Sequence, residues 1–221
     1  MKVLPPEKLA DFFREAKETG VFELYYLDLS TGLRRGELLG LKWNDINFET
    51  RTLEVKRQIQ RVNGVIQETA PKTHNAYRKI LLSAEAVEIL RTYREQQTIQ
   101  SEYIFPSPTG GIMEPDCARK MLKRVLQRAG LDELRFHDLR HTFATLALQN
   151  GVDVKTLSGI LGHYSAGFTL DTYTHITNDM QRGAAEKIGG FMETATAKPE
   201  PEPPDPPEES RCKVIPFERV G

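Results

Sequence analysis

The stretch TLEVKRQIQRVNGVIQETAPKTHNAYRKILLS, residues 52–83, interrupts a chain whose other parts have helical periodicity. Apolar and polar residues alternate within 52–62, 64–70 and 77–83, which are rich in Val, Ile and Thr, as is typical of strands. Asn63-Gly64 is a hairpin signal, and Pro71 to Asn75 has the composition of a second turn. The stretch therefore predicts a three-stranded antiparallel sheet.

Amphipathic helical patterns lie on both sides of this sheet, and Gly, Pro or Ser marks most of their ends. The predicted helices are 5–20, 22–30, 34–40, 83–97, 114–129, 136–151, 153–162, 169–177 and 178–194. The fold class is therefore mainly α with a small three-stranded antiparallel sheet (α+β), in one domain of residues 1–195. Residues 196–221 are predicted to be a disordered Pro/Glu-rich tail, because proline and charge replace nearly all apolar residues there.

The composition, 39% hydrophobic and 28% charged over 221 residues, is that of a globular protein. No apolar run reaches the length of a membrane span and no secretory signal opens the chain, so a cytoplasmic protein is expected. Cys117 and Cys212 are predicted to be free thiols. The net charge is −1, but residues 199–221 hold six acids and three bases, which leaves 25 acids and 27 bases before them. This near-neutral balance neither supports nor excludes a nucleic-acid partner.

The segment RFHDLRHTFATL, residues 135–146, places polar residues at the head of an apolar helix. His137 and His141 stand four apart beside Asp138, as in a helical zinc motif, but the charge of Arg140 opposes a metal. His137 and Arg140 share one face near the helix N-terminus, where the helix dipole favours an anion such as phosphate. The alternative is a half-buried histidine beside a surface arginine.

Three further segments contain candidate site residues. In TGLRRGEL, residues 31–38, Arg34 begins a helix and Glu37 is placed to pair with it. Lys72 lies in the turn between the second and third predicted strands, where most lysines are simply solvated. In LGHYSAGFTLDTYTH, residues 161–175, a tight turn presents His163 and a short helix carries Tyr173. A tyrosine between threonines is more often a hydrogen-bonding residue than a nucleophile.

Over about residues 1–195, the chain resembles the tyrosine recombinase, or phage integrase, family. The resemblance rests on five motifs in this order: TGLRRGEL, the hairpin lysine, HDLRH, LGH and DTYTH. The sequence LGHYSAGFTLDTYTH is most similar to the corresponding segment of integrases of conjugative transposons and phages of Gram-positive bacteria. The resemblance implies a site-specific DNA recombinase that integrates or excises a mobile element without metal, ATP or other cofactor. It also implies double-stranded DNA as partner, a tetramer in the synapse, and an excisionase or DNA-bending accessory protein.

The resemblance also assigns a role to each candidate residue. Tyr173 is the nucleophile, which forms a 3′-phosphotyrosyl link, and Glu37 supports the first arginine. The remaining catalytic residues are Arg34, Lys72, His137, Arg140 and His163. These roles suit the residue types: two guanidiniums stabilise charge on the phosphate, His137 accepts the phenolic proton, and Lys72 protonates the leaving 5′-oxygen. Arg35 and His141 are expected to be neighbours of the site only, His141 behind Arg140, with Trp43 and Ile46 in the core.

The resemblance implies arm-binding and core-binding domains before the catalytic domain, and this sequence is expected to lack both, either as an excised fragment or as a natural catalytic-only protein. Fewer phosphate contacts then remain, so weak and salt-sensitive DNA binding is expected. An apolar stripe of Met180, Ala184, Ile188 and Met192 is predicted to pack in its own domain or exchange into a neighbouring subunit. Two alternative functions stay open: a catalytically silent DNA-binding regulator of the same fold, and a DNA-relaxing enzyme similar to type IB topoisomerases.

Overall fold

The structure is a computed structural model of the whole chain. It describes residues 2–71, 76–163, 165–173, 182–183 and 185–193. The chain divides into two compact units, Met1–Arg182 and Gly183–Gly221. The numbered helices and strands and the candidate site described below belong to the first unit.

Helices form most of the first unit, which confirms the predicted fold class. In chain order they are Leu9–Glu18 (α1), Phe22–Thr31 (α2), Arg35–Leu39 (α3), Ala84–Gln96 (α4), Pro115–Arg128 (α5), Phe136–Gln149 (α6), Val154–Leu161 (α7) and Ala166–Thr172 (α8). Short 3-10 helices occupy Pro6–Lys8 and Trp43–Asp45. In the described residues, none of the helices is both long and apolar enough to cross a bilayer.

The strands are arranged differently from the single sheet that the alternation predicts. They are Ile46–Asn47 (β1), Thr52–Val55 (β2), Gln58–Val62 (β3), Val65–Thr69 (β4) and Arg78–Leu81 (β5). One antiparallel sheet has the order β1-β2-β5, and β3 and β4 form a separate hairpin. The hairpin turn is the predicted Asn63-Gly64, in which both residues have positive φ, as a two-residue type I′ turn requires.

Arg57 explains why the predicted strand of residues 52–62 is split in two. Its guanidinium binds the carboxylate of Asp45, which is 3% exposed, and donates to the carbonyl of Gly40 at 3.1 Å. The chain leaves strand geometry at residues 56–57, where this inward contact is made, and resumes it at Gln58. The alternation of side chains cannot reveal such a contact with a distant acid.

Close packing of α2 on α6 brings the TGLRRGEL segment, which starts at the end of α2, close to the RFHDLRHTFATL segment of α6. Gly32 ends α2 with φ of 61°, a left-handed conformation that suits glycine, and a Cβ at this position would clash with the ring of Phe143 on α6. The main core includes Phe12, Tyr25 and Leu38, and it extends to Trp43 and Ile46, which are buried as predicted.

A smaller apolar cluster joins α6, α7 and the residue that follows α8. Its buried members are Ala144, Leu148, Leu157, Leu161 and Tyr173. In the second unit, residues 185–193 are helical. They include Ile188 and Met192 of the predicted apolar stripe, whereas Met180 and Ala184 lie outside the described residues, as does the tail from residue 194 onward.

Candidate active site

Arg34 occupies the position before α3, where the chain turns out of α2. Its backbone N–H donates to a carboxylate oxygen of Glu37 at 2.9 Å, and its guanidinium donates to the other oxygen at 2.8 Å. The Glu37 side chain is 2% exposed, whereas that of Arg34 is 38% exposed. Burial opposes the ionisation of Glu37, but bonds and charge from Arg78 and Arg34 outweigh it and lower its pKa. The predicted pairing of Glu37 with Arg34 is therefore present.

Arg140 is a buried cation that links α6 to two neighbouring segments. Its guanidinium donates to the carbonyl of Gly32 at 2.7 Å and to that of Leu161 at 2.6 Å, and the residue is 2% exposed. Burial lowers its pKa, and the charge of Arg34 adds to this effect, but a guanidinium is so basic that it stays protonated at neutral pH. The contact with Gly32 brings Arg140 next to the turn that carries Arg34.

Arg34 and Arg140 both bind backbone carbonyls at the C-terminus of α7. Arg34 donates to the carbonyl of Gly162 at 3.3 Å, and Arg140 binds the preceding carbonyl, that of Leu161. Gly162 ends the helix with φ of 64°, and His163 follows it. Carbonyls at a helix C-terminus carry partial negative charge, so cations bound there are stabilised. The structure thus brings Arg34, Arg140 and His163 together at the end of α7.

His137 lies exposed in the first turn of α6, next to Asp138. The carboxylate of Asp138 does not face His137 in a metal-like arrangement; it accepts from the backbone N–H of Arg135 at 2.8 Å and pairs with its guanidinium. Loss of hydration and, next, the charge of Arg140 lower the pKa of His137. Within the described ranges, no three His, Cys, Asp or Glu side chains form a metal-binding group.

Tyr173 is buried, with 1% of its surface exposed, and its hydroxyl lies 2.8 Å from Nδ1 of His141. Burial raises the pKa of Tyr173 to about 12, despite the opposing charge of Arg140. Burial, followed by the charge of His137, lowers the pKa of His141 to about 4. At neutral pH both groups are therefore uncharged, and one hydrogen bond joins the phenolic oxygen to Nδ1 of the imidazole. His141, expected behind Arg140, instead contacts the predicted nucleophile.

The second histidine of the site is fixed by α8. Nδ1 of His163 lies 2.8 Å from the hydroxyl of Thr169, which is fully buried. Burial, with the charges of Arg140 and Arg34, lowers the pKa of His163 to about 4, so this imidazole is also neutral near pH 7. Lys72, the remaining predicted catalytic residue, lies outside the described residues.

The motifs gave no indication of Arg78, whose side chain is 6% exposed and pairs with Glu37. Arg78 begins β5, two residues before the buried Ile80, so both side chains lie on the same face of the strand. A charge at a core-facing position of a strand is the sequence signal that identifies it.

A basic groove lies directly beside His137. Its lining includes Glu133 and the cationic side chains Arg35, Arg119, Lys120, Lys123 and Arg135. Arg119 and Lys123 pair with Asp116 and Glu133 at 3.5 Å, but these exposed pairs are weak and leave the groove cationic. The groove begins at α5 and leads to the N-terminal turn of α6, so a polyanion bound in it would reach the candidate site.

Asp28 on α2 is a fully buried carboxylic acid near the site. Neither of its oxygens meets a hydrogen-bond donor among the described residues. Burial raises its pKa well above the usual value, and the charge of Arg140 only partly opposes this. Asp28 is therefore protonated in the folded protein at a pH where the unfolded chain has already released the proton.

Replacement of Asp28 by Asn is expected to flatten the pH dependence of stability. The unfolded carboxyl titrates near pH 4, so above about pH 4 the unfolded chain binds fewer protons and the free energy of unfolding falls as the pH rises, until the folded pKa is passed. Each pH unit in this window costs up to about 1.4 kcal/mol. Urea denaturation between pH 5 and 8, with Asp132→Asn as an exposed control, measures the difference. An unchanged slope in Asp28→Asn would show that Asp28 does not titrate in this way.

The model of the phage integrase family matches residues 7–180 of this chain. The chain is 33% identical to the tyrosine recombinase XerC-like protein of Caldanaerobacter subterraneus over 191 residues, which are 76% of this chain and 49% of that protein. It is 28% identical to the ICEBs1 integrase of Bacillus subtilis, with 87% and 55% covered. The chain thus spans about half the length of these curated relatives.

Among solved structures, the Tn1549 transposon integrase in complex with circular intermediate DNA is similar to this chain. The TM-score is 0.75 at 26% identity, and the match covers 85% of this chain and 67% of that one. The XerA recombinase shares the fold, with a TM-score of 0.68 at 24% identity. The fold and the order of the motifs therefore agree with the same family.

Proposed function

The chain belongs to the phage integrase family, and on that premise we propose that it cuts and rejoins DNA strands as the catalytic part of a tyrosine-type site-specific recombinase. The observation that carries the proposal is the meeting of Arg34, Arg140 and His163 at the end of α7. Tyr173 belongs to the same buried apolar cluster as Leu161 of this helix. A cluster of cations next to a tyrosine suits phosphoryl transfer to a phenol.

In the proposed reaction, Tyr173 Oη forms a bond to the phosphorus of a DNA phosphodiester and the bond to the 5′-oxygen breaks. The phenolic proton passes to His137, and Lys72 gives a proton to the leaving 5′-oxygen. Arg34, whose side chain is 38% exposed, binds the non-bridging oxygens, and the charge of the buried Arg140 helps to stabilise the negative charge that develops on them. The 3′-phosphotyrosyl bond conserves the energy of the broken bond, so a 5′-hydroxyl of a second strand can reverse the step without ATP.

The buried position of Tyr173 adds one requirement to this scheme. A duplex cannot reach a hydroxyl on a side chain that is 1% exposed. The proposed attack therefore requires Tyr173 to leave its contact with His141 and to approach the phosphate beside Arg34. His141 is accordingly assigned as the partner of the resting phenol and His137 as the acceptor in the reaction. A tetrameric synapse and an accessory protein are carried over from the family as further parts of the proposal.

Covalent capture tests the proposed activity without knowledge of the target sequence. The chain is incubated with a pool of nicked duplexes of randomised sequence, so that cleavage releases a short fragment and traps the protein on DNA. A 3′-linked adduct that forms equally with and without EDTA is the expected result. DNA binding without any adduct would favour the regulator. Two copies of a recovered sequence on one plasmid then separate exchange, which supports recombination, from relaxation alone, which favours the topoisomerase.

The basic groove makes a separate prediction about DNA affinity. The triple change Arg119→Gln, Lys120→Gln and Lys123→Gln is expected to reduce the steepness of log K against log[salt] by about 2 to 3, since each lost phosphate contact contributes about 0.9. Fluorescence anisotropy with a fixed duplex at several salt concentrations measures this slope. The matched control removes three cations that do not line the groove, Lys17, Lys79 and Arg91. Equal slopes for the two triple variants would exclude the groove as the DNA-binding surface.

A further inference from the structure

Arg78 is an arginine with a 6% exposed side chain, and each of its three guanidinium nitrogens donates to a protein group near the candidate site. Its two terminal nitrogens bind the two carboxylate oxygens of Glu37, at 3.2 and 2.8 Å. Its Nε donates to the carbonyl of Ile160, and one terminal nitrogen also reaches the carbonyl of Ala76 at 3.1 Å. A forked guanidinium can make this set of bonds, whereas a single ammonium cannot.

Glu37 connects Arg78 to Arg34. The carboxylate accepts from both guanidiniums and from the backbone N–H of Arg34. Each of its two oxygens therefore accepts one bond from Arg34 and one from Arg78. Because Glu37 is 2% exposed, water cannot easily replace a lost bond. Without Arg78, Glu37 would keep only its bonds to Arg34, and the Arg34–Glu37 pair would lose the contact that fixes it to β5.

The end of α7 connects Arg78 to the other site residues. The carbonyls of Ile160, Leu161 and Gly162 accept from Arg78, Arg140 and Arg34, respectively. Three consecutive carbonyls of one helix end are thus each bound by a different arginine. His163 comes directly after them, so the position of its ring depends on the same helix end.

We propose that Arg78 is a positioning residue for strand cleavage, because it fixes Arg34 through Glu37 and fixes the α7 end that carries His163. The inference rests on the function proposed above. Arg78 does not contact DNA in this role, since its side chain is 6% exposed and its donors face Glu37 and two carbonyls. Its effect on the reaction passes through the orientation of Arg34.

A neutral substrate distinguishes this role from a purely structural one. In the proposed reaction Arg34 compensates the negative charge on the phosphate. A methylphosphonate at the cleaved position lacks this charge, so the rate of its cleavage depends less on Arg34. Arg78→Gln is expected to slow single-turnover cleavage of the normal phosphodiester about 100-fold, the effect of a misplacement of about 1 Å. The decrease in the cleavage rate of methylphosphonate DNA is expected to be about tenfold smaller than the decrease for the phosphodiester. Arg78→Lys, which keeps the charge but not the fork, should give the same pattern to a smaller degree.

Arg57→Gln is the matched control, because it also removes a forked arginine from a buried carboxylate, that of Asp45, outside the site. It is expected to lower the melting temperature without changing the rate ratio between the two substrates. Equal slowing of both substrates by Arg78→Gln and Arg78→Lys, or no slowing of either, would overturn the inference. A wild-type chain that forms no adduct would instead overturn the proposed function, and the inference with it.

Discussion

Tyr173→Phe is expected to abolish the covalent protein–DNA adduct, with a loss of about 10⁴-fold or more. The change removes the oxygen that forms the bond to phosphorus, and no other group can replace it in the same position. The fold should survive, because the phenyl ring still fills the cluster with Leu157 and Leu161. The lost hydrogen bond to His141 costs about 1 kcal/mol. Gel analysis of the nicked-duplex reaction, with circular dichroism of both proteins, measures both effects.

Tyr77→Phe is the control for this experiment, because Tyr77 is 48% exposed and makes none of the contacts described for the site. Its adduct should equal that of the wild type. An adduct that persists in Tyr173→Phe at the wild-type level would remove Tyr173 from the role of nucleophile and would direct attention to another tyrosine. Since buried tyrosine hydroxyls often serve only packing and hydrogen bonding, this test decides between the two interpretations of Tyr173.

The second large effect is expected for Arg140→Lys. Arg140 uses two nitrogens to bind the carbonyls of Gly32 and Leu161, at 2.7 and 2.6 Å. An ammonium at the end of a flexible chain cannot hold both carbonyls and also compensate charge on the phosphate. Cleavage is expected to fall by about 10² to 10³-fold, and one unpaired buried carbonyl should lower stability by about 1 to 3 kcal/mol.

Single-turnover cleavage and urea denaturation measure the two consequences separately. Arg128→Lys is the control, because Arg128 pairs with Glu15 on the exposed side of α5 and should change neither quantity strongly. Cleavage at the wild-type rate in Arg140→Lys would show that Arg140 serves the fold and not the reaction.

Local sequence signals predicted the parts of the fold that depend on neighbouring residues. Asn63-Gly64 forms the predicted hairpin turn, and Gly162 ends a helix directly before His163, as expected. The division of the predicted strand at Arg57 escaped prediction because its cause, Asp45, lies in another element. Periodicity describes which face a residue occupies, but it does not identify the partner that a charged side chain finds there.

The candidate site shows the same distinction. The motifs identified Arg34, Glu37, Arg140 and His163, which the structure brings together at the end of α7. Arg78 and His141 remained without a role, because their importance depends on contacts with Glu37 and Tyr173, which are distant in the chain. The assignment of Lys72 as the proton donor stays a prediction.

The arginines bound along the end of α7 also bear on when the site becomes organised. Guanidinium groups repel one another, and in the free chain this repulsion is offset by the carbonyl oxygens of Ile160, Leu161 and Gly162 together with the carboxylate of Glu37. The like charges are therefore brought together as the chain folds, so that in the proposed reaction the phosphodiester would meet arginines whose positions are already set, which lowers the reorganisation energy needed on its arrival.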